Sequence, residues 1–287
     1  MSTLRDLRQK ILAVGNIRKI TQAMELVAAA RLRKAQVKAE SARPYALKLN
    51  EILERLIAAA GELHHPLITS VNVTPEVKKI GLVVIAGDRG LCGGYNQGVF
   101  SAAEKFIQKH SSAQITLITV GRKSCEHFAK SRLNIAYKIP EWGGKITYLQ
   151  IEEFSMSLID FYLNGQFDEI WLVYTHFVNL MVREVLIEKF LNIETKASTE
   201  QKINYIFEPD AASIFAKLLP HYCITKIQSA LNDAYAAELA ARISSMRSAT
   251  KNAQEMIEKL TLMRNKVRQA GITKELIEIT SGAEILR

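Results

Sequence analysis

The residues best suited to chemistry lie in one glycine-rich decapeptide, Gly87-Asp88-Arg89-Gly90-Leu91-Cys92-Gly93-Gly94-Tyr95-Asn96. It follows an apolar, β-branched run and precedes a helical stretch. A loop in that place can cradle a phosphate on backbone N–H groups at a helix N-terminus. The spacing does not fit this use. A dinucleotide loop needs GxGxxG and a P-loop needs GxxxxGKS or GxxxxGKT, and neither occurs. The reading is therefore a tight strand-to-helix turn or a partner-contact loop, where glycine permits positive φ and close approach. Asp88, Arg89, Gly90, Gly93 and Gly94 are taken as structural loop residues. Asp88 and Arg89 form a local ion pair or meet a partner helix. Cys92 has no neighbouring histidine to make a Cys/His pair and reads as a buried structural thiol.

Metal chemistry finds no support. His64, His65, His110, His127, His176 and His221 show neither HxxxH nor HExxH spacing. Cys92, Cys125 and Cys223 are far apart and form no CxxC pair. No zinc site, disulfide framework or cofactor is expected, and a reducing compartment is the simplest setting.

The loop must be held by the elements around it. Ile80 to Ala86, Gln114 to Val120 and Glu169 to Phe177 are short β-branched runs of the kind that form buried strands. Helical stretches fall between them, near Asn96 to His110, Arg122 to Ser131 and Thr147 to Asn164. Strand–helix–strand alternation predicts a mostly parallel sheet with covering helices, an α/β domain at 76–208.

The two ends read differently. Leu4, Leu7, Ile11, Val14, Ile17, Ile20, Met24 and Val27 recur every three or four residues, a helical stripe with a near-heptad seam. Gly15 is the only glycine in residues 1–60. Pro44 marks a kink or interruption, and Gly61 with His64-His65-Pro66 ends the pattern, giving a helix over 1–60. From Ile227 to Ala270 the apolar spacing is again helical, without glycine from 166 to 270 or proline after Pro220. A helix of about 60 residues would be about 90 Å long. Both stripes must be buried, so the C-terminal helix, over 211–287, is predicted to pair antiparallel with the first. The fold class is thus α/β: a long antiparallel coiled coil of the N- and C-terminal helices plus a Rossmann-like α/β domain with a mostly parallel sheet.

Charge follows this division. The formal net charge is +9. Residues 1–43 carry +7, residues 211–287 carry +4, and the middle carries −2. Basic helices suit an acidic protein partner, anionic lipid or nucleic acid. Arg31, Arg33, Lys34 and Lys38 form a basic run, but no interleaved aromatics or nucleic-acid signature accompany it. The alternative of a basic coiled-coil nucleic-acid-binding protein rests on charge alone. Apolar runs such as Leu26 to Ala30 fall far short of the ~20 residues a membrane span needs. The first residues lack an apolar h-region, so no secretory signal is expected.

Three separated segments carry a family resemblance. Lys19-Ile20-Thr21-Gln22-Ala23-Met24-Glu25-Leu26-Val27-Ala28-Ala29-Ala30-Arg31-Leu32 is similar to the KITxAMxMVAAxKL segment of F-type ATP synthase gamma subunits. Asp88 to Asn96 resembles their DRGLCGGxN, and Ile272-Thr273-Lys274-Glu275 through Glu278 to Gly282-Ala283 resembles their ITxExxExxxGA. Ala236 to Ile243 is similar to their SExxAARM block, with Ala237, Leu239 and Ile243 departing from it. Glu284 and Ile285 also depart from the small residues common there.

The resemblance implies a central rotor shaft without catalysis of its own. Its expected partners are the alpha and beta subunits of the F1 ring, the epsilon subunit and the c-ring of the membrane sector, with no nucleic acid and no direct membrane insertion. It implies rotor-to-ring contact by Met24, Arg242, Arg268, Gln269, Thr273 and Glu275, with the glycine loop supporting the foot. It also implies a place peripheral to the cytoplasmic face of the bacterial inner (plasma) membrane. Without the added cysteine pair of plastid versions, thiol regulation is not expected.

Overall fold

The computed structural model describes residues 3–60, 78–131, 133–143, 146–191 and 211–285. The expected helix stop at Gly61 and His64-His65-Pro66, and residues 192–208 of the expected α/β domain, lie outside the described residues. The chain divides into two compact units: Met1–Ala29 with Arg242–Arg287, and Ala30–Ala241.

Among the described residues, ten elements run in the order α1 (Leu4–Ala60), β1 (Lys79–Ile85), α2 (Tyr95–Lys109), β2 (Gln114–Val120), α3 (Arg122–Phe128), β3 (Ile135–Ile139), α4 (Tyr148–Leu163), β4 (Glu169–Phe177), β5 (Arg183–Leu191) and α5 (Ala211–Ile285). Both long helices run through their internal prolines, Pro44 and Pro220. The start of α1 has a local cause. Thr3 Oγ1 accepts from the Asp6 N–H while the Asp6 carboxylate accepts from the Thr3 N–H, satisfying two donors that a helix start leaves orphaned. Thr147 and Gln150 do the same for α4.

In the larger unit the sheet order is β3-β2-β1-β4-β5. Strands β1, β2, β3 and β4 are mutually parallel, and β5 returns antiparallel along β4. Along β1, Ile80 to Ile85 are all buried, because a central parallel strand is covered on both faces. Alternation sends Val83 and Ile85 into one core with α4 residues Phe154 and Leu158 and α5 residues Phe215, Leu219 and Ile227. Leu82 and Val84 face the other core, under Val99, Phe100, Ala103 and Phe106 of α2.

Strands β3 and β5 had no counterpart in the sequence reading. Both are edge strands, and an edge needs no continuous apolar run. β3 alternates half-buried and exposed residues, and β5 carries Arg183, Glu184, Glu188 and Lys189.

In the smaller unit, α1 and α5 are an antiparallel pair. The seam differs from the expected one. Leu7, Ile11, Val14, Arg18, Thr21, Glu25 and Ala28 are buried or half-buried, whereas Ile17, Ile20 and Val27 are 52%, 59% and 51% exposed. A 3-4 spacing fits two neighbouring stripes on this helix, offset by one residue. Across the seam, the polar side chains Arg247, Thr250 and Gln254 on α5 meet Glu25, Thr21 and Arg18 on the buried stripe of α1. That pairing selects the stripe.

Candidate partner-contact sites

In a doubly wound sheet, ligands bind outside the carboxyl ends of the strands, where strand order reverses. Here that place is the loop after β1. Asp88 organises it: Oδ1 accepts from the Arg122 N–H at 3.1 Å and Oδ2 from the Trp142 N–H at 3.0 Å. Trp142 Nε1 donates to the Ala86 carbonyl at 2.9 Å, and the Lys123 N–H donates to Gly87 O at 3.1 Å. The Gly87 N–H is taken by Asn96 Oδ1 at 2.9 Å. Asp88 thus ties the ends of three parallel strands through their following loops, a positioning role and not an exposed catalytic carboxylate. Gly93 holds φ +58, the left-handed conformation that favours glycine, whereas Gly90 and Gly94 have open space where a Cβ would stand. Arg89 is exposed beside them.

The space over this loop is filled by α5. Tyr95 Oη donates to the Ala234 carbonyl at 2.9 Å. Ala237 and Ala241 pack with Cys92, Tyr95 and Phe177. Glu238, 3% exposed, places its carboxyl group against Gly87. A small-residue helix face and a buried carboxyl group thus fill the space over this loop. Sequence reasoning missed Glu238 and Trp142, whose roles depend on residues 151 and 54 positions away, Gly87 and Asp88.

The residues expected to contact a partner ring are in the smaller unit, apart from one another along its two helices. Met24 is half-buried at the margin of the seam. Arg242 is half-buried on α5. Arg268, Gln269, Thr273 and Glu275 are all exposed. They fall on adjoining stripes of α5: in Arg268-Ile272-Glu275-Ile279 charged residues alternate with exposed aliphatics, and Gln269-Thr273-Leu276-Thr280 is polar apart from the exposed Leu276. Thr273 Oγ1 donates to the Gln269 carbonyl at 3.0 Å. On α1 a second stripe, Ala13, Ile17, Ile20, Met24, Val27 and Arg31, has 4-3-4-3-4 spacing and, Met24 aside, is exposed. The sequence reading had placed Ile17, Ile20 and Val27 inside the seam.

Two paired terminal helices and a five-stranded, mostly parallel sheet define the class, a protein of long helix pair plus α/β domain. A family model described as ATP synthase matches residues 3–286. The ATP synthase gamma chain of Protochlamydia amoebophila is 50% identical over 289 residues, covering 100% of both chains. That of Desulforamulus reducens is 42% identical over 290 residues with the same full coverage. The Euglena gracilis mitochondrial ATP synthase in rotational state 3 contains a chain with TM-score 0.68 and 16% identity, covering 99% of this chain and 94% of that one. A chain of the Tetrahymena thermophila central stalk/c-ring structure gives TM-score 0.59 at 20% identity, covering 80% and 99%. At those identities the structures speak for the fold. The chain belongs to the ATP synthase family, among its gamma chains.

Proposed function

We propose that this chain is the central rotor shaft of an F-type ATP synthase, coupling rotation of a membrane ring to conformational cycling of a catalytic nucleotide-binding ring. The observation that carries the reading is the exposed stripe Ile17, Ile20 and Val27 beside the polar seam. A helix pair that buries polar residues and leaves large aliphatics outside is built to be enclosed by something else. Met24 continues that stripe. Arg242, Arg268, Gln269, Thr273 and Glu275 supply polar contacts further along, and the basic surface suits acidic loops of a surrounding ring. Partners on this reading are the alpha and beta subunits around the helix pair, with the epsilon subunit and c-ring at the α/β domain. The chain carries no catalysis itself. It acts because an asymmetric shaft contacts the several states of its partners unequally, and differential contact is what shifts such equilibria. Its place is peripheral, on the cytoplasmic face of the bacterial inner membrane. The nucleic-acid alternative rests on net charge alone and gains nothing from the fold.

The test is purification of the tagged chain from its native membranes. Recovery of a nucleotide-hydrolysing ring of two related subunits is expected, and its absence under conditions that keep the chain folded defeats the reading.

A further inference from the structure

Among the described residues of the smaller unit, three side-chain contacts across the seam share one pattern. Arg18 Nη1 donates to Gln254 Oε1, Thr21 Oγ1 and Thr250 Oγ1 stand 2.7 Å apart, and Arg247 Nε donates to Glu25 Oε1 at 2.9 Å. The residue numbers in each pair add to 271 or 272, so all three lie on one unslipped antiparallel register. Thr21 Oγ1 also approaches the Arg18 carbonyl at 3.0 Å, and Thr250 Oγ1 the Met246 carbonyl at 2.8 Å. Two hydroxyl protons therefore face three short contacts. One hydroxyl bonds back to its own helix and the other donates across. The arrangement is not optimised for stability, because Arg18 Nε is buried with no hydrogen-bond partner among the described residues.

The apolar part of the seam, with Leu7, Ala28, Ile243, Met246 and Ala253 buried, is non-directional and tolerates sliding. The polar part does not. A slip of one heptad in one direction sets Arg18 opposite Arg247 and Thr21 opposite Ile243. A slip in the other sets Arg18 opposite Thr261 and Glu25 opposite Gln254. Both abolish the Glu25–Arg247 pair. Polar groups at a helix seam specify register at a cost in stability.

We propose that Arg18, Thr21, Glu25, Arg247, Thr250 and Gln254 form a polar clasp that holds the helix pair in one register under load. They are positioning residues for torque transfer. The use of the clasp rests on the rotor reading above; its existence does not.

The experiment compares the wild-type clasp with an apolar one, Arg18→Leu, Thr21→Val, Glu25→Leu, Arg247→Leu, Thr250→Val and Gln254→Leu, in the full chain. Val14→Cys is combined with Glu258→Cys to report the native register, or with Lys251→Cys to report a one-heptad slip. A short thiol cross-linker is applied and the products are mapped by mass spectrometry. The wild-type clasp is expected to give the 14–258 link alone, and the apolar clasp to add the 14–251 link. In the assembled complex, ions pumped per ATP hydrolysed are expected to fall about twofold or more with the apolar clasp. The charge swap Glu25→Arg with Arg247→Glu is expected to retain both the register and the ratio. A native-only cross-link pattern in the apolar variant overturns the clasp. A slipped pattern with an unchanged pumping ratio overturns its role in torque transfer. Failure of the wild-type chain to join a ring counts against the rotor reading instead, and the cross-links on the free chain still decide the clasp.

Discussion

A Cβ placed on Gly87 would stand 2.8 Å from Cδ of Glu238, so the loop after β1 and the α5 segment over it meet with no room between them. A Cβ fits at this contact only if the Glu238 side chain shifts. Gly87→Ala is expected to destabilise by about 1–3 kcal/mol, the usual cost of overpacking. Thermal unfolding of Gly87→Ala, with and without Glu238→Ala, checks it. The second substitution removes the obstructing atoms and is expected to return part of the loss. Equal losses in the single and double variants would mean that the contact does not set the loss.

Two other glycines separate strain from simple spacing. Gly121 has φ +97, and a Cβ there would lie 2.1 Å from the Ala86 carbonyl oxygen. Backbone cannot yield as a side chain can, so Gly121→Ala is expected to cost about 3 kcal/mol or more. Gly90 has open space at the same position. Gly90→Ala is expected to stay within about 0.5 kcal/mol of the parent. Denaturant midpoints of the two variants, measured side by side, give the comparison.

Acid stability should depend on Glu169. Burial pushes its carboxyl upward, but hydrogen bonds from Trp171 Nε1 at 3.0 Å and Lys78 Nζ at 3.1 Å, with Lys189 Nζ at 3.3 Å, outweigh burial and hold it below its ordinary 4.5. A carboxyl depressed on folding adds stability above its unfolded value and loses it as pH falls through the folded one. The contribution is therefore present at neutral pH and drains away below about pH 4.5. Glu169→Gln should lower the neutral-pH melting temperature and flatten its fall on acidification. An acid limb as steep as the parent's would assign it to other carboxylates.

Met24 stands between the seam and the exposed stripe of α1. Met24→Lys is expected to leave assembly near normal while lowering ATP-driven ion pumping per ATP hydrolysed by about twofold or more, since a cation beside a partner surface favours some of its states over others. Pumping and hydrolysis measured on the same membranes provide the ratio. An unchanged ratio would remove Met24 from the contact.

Much of the α/β unit was legible because its central strands are buried on both faces. Lys79–Ile85, Gln114–Val120 and Glu169–Phe177 stand out as β-branched runs, and the helical stretches near Asn96 to His110 and Thr147 to Asn164 correspond to α2 and α4. β5 was not legible, because an edge strand can carry Glu184, Glu188 and Lys189 and still pair along β4. The site divided in the same way. Asp88 and Gly93 were readable as loop residues from their spacing, but Glu238 and Trp142 were not. A residue held by a contact many positions away leaves no local pattern.

Taken by itself, the sequence determined that both ends are long helices with buried faces, that the middle is a parallel-rich sheet, and that three separated motifs resemble one family. These follow from local periodicity and side-chain type. Only the tertiary structure decided which of two neighbouring stripes on α1 is the seam. Hydrophobicity favours Ile17, Ile20 and Val27, yet Arg18, Thr21 and Glu25 face inward because α5 presents Gln254, Thr250 and Arg247 to them. Register is a property of two helices together, so it becomes visible only once both are in place.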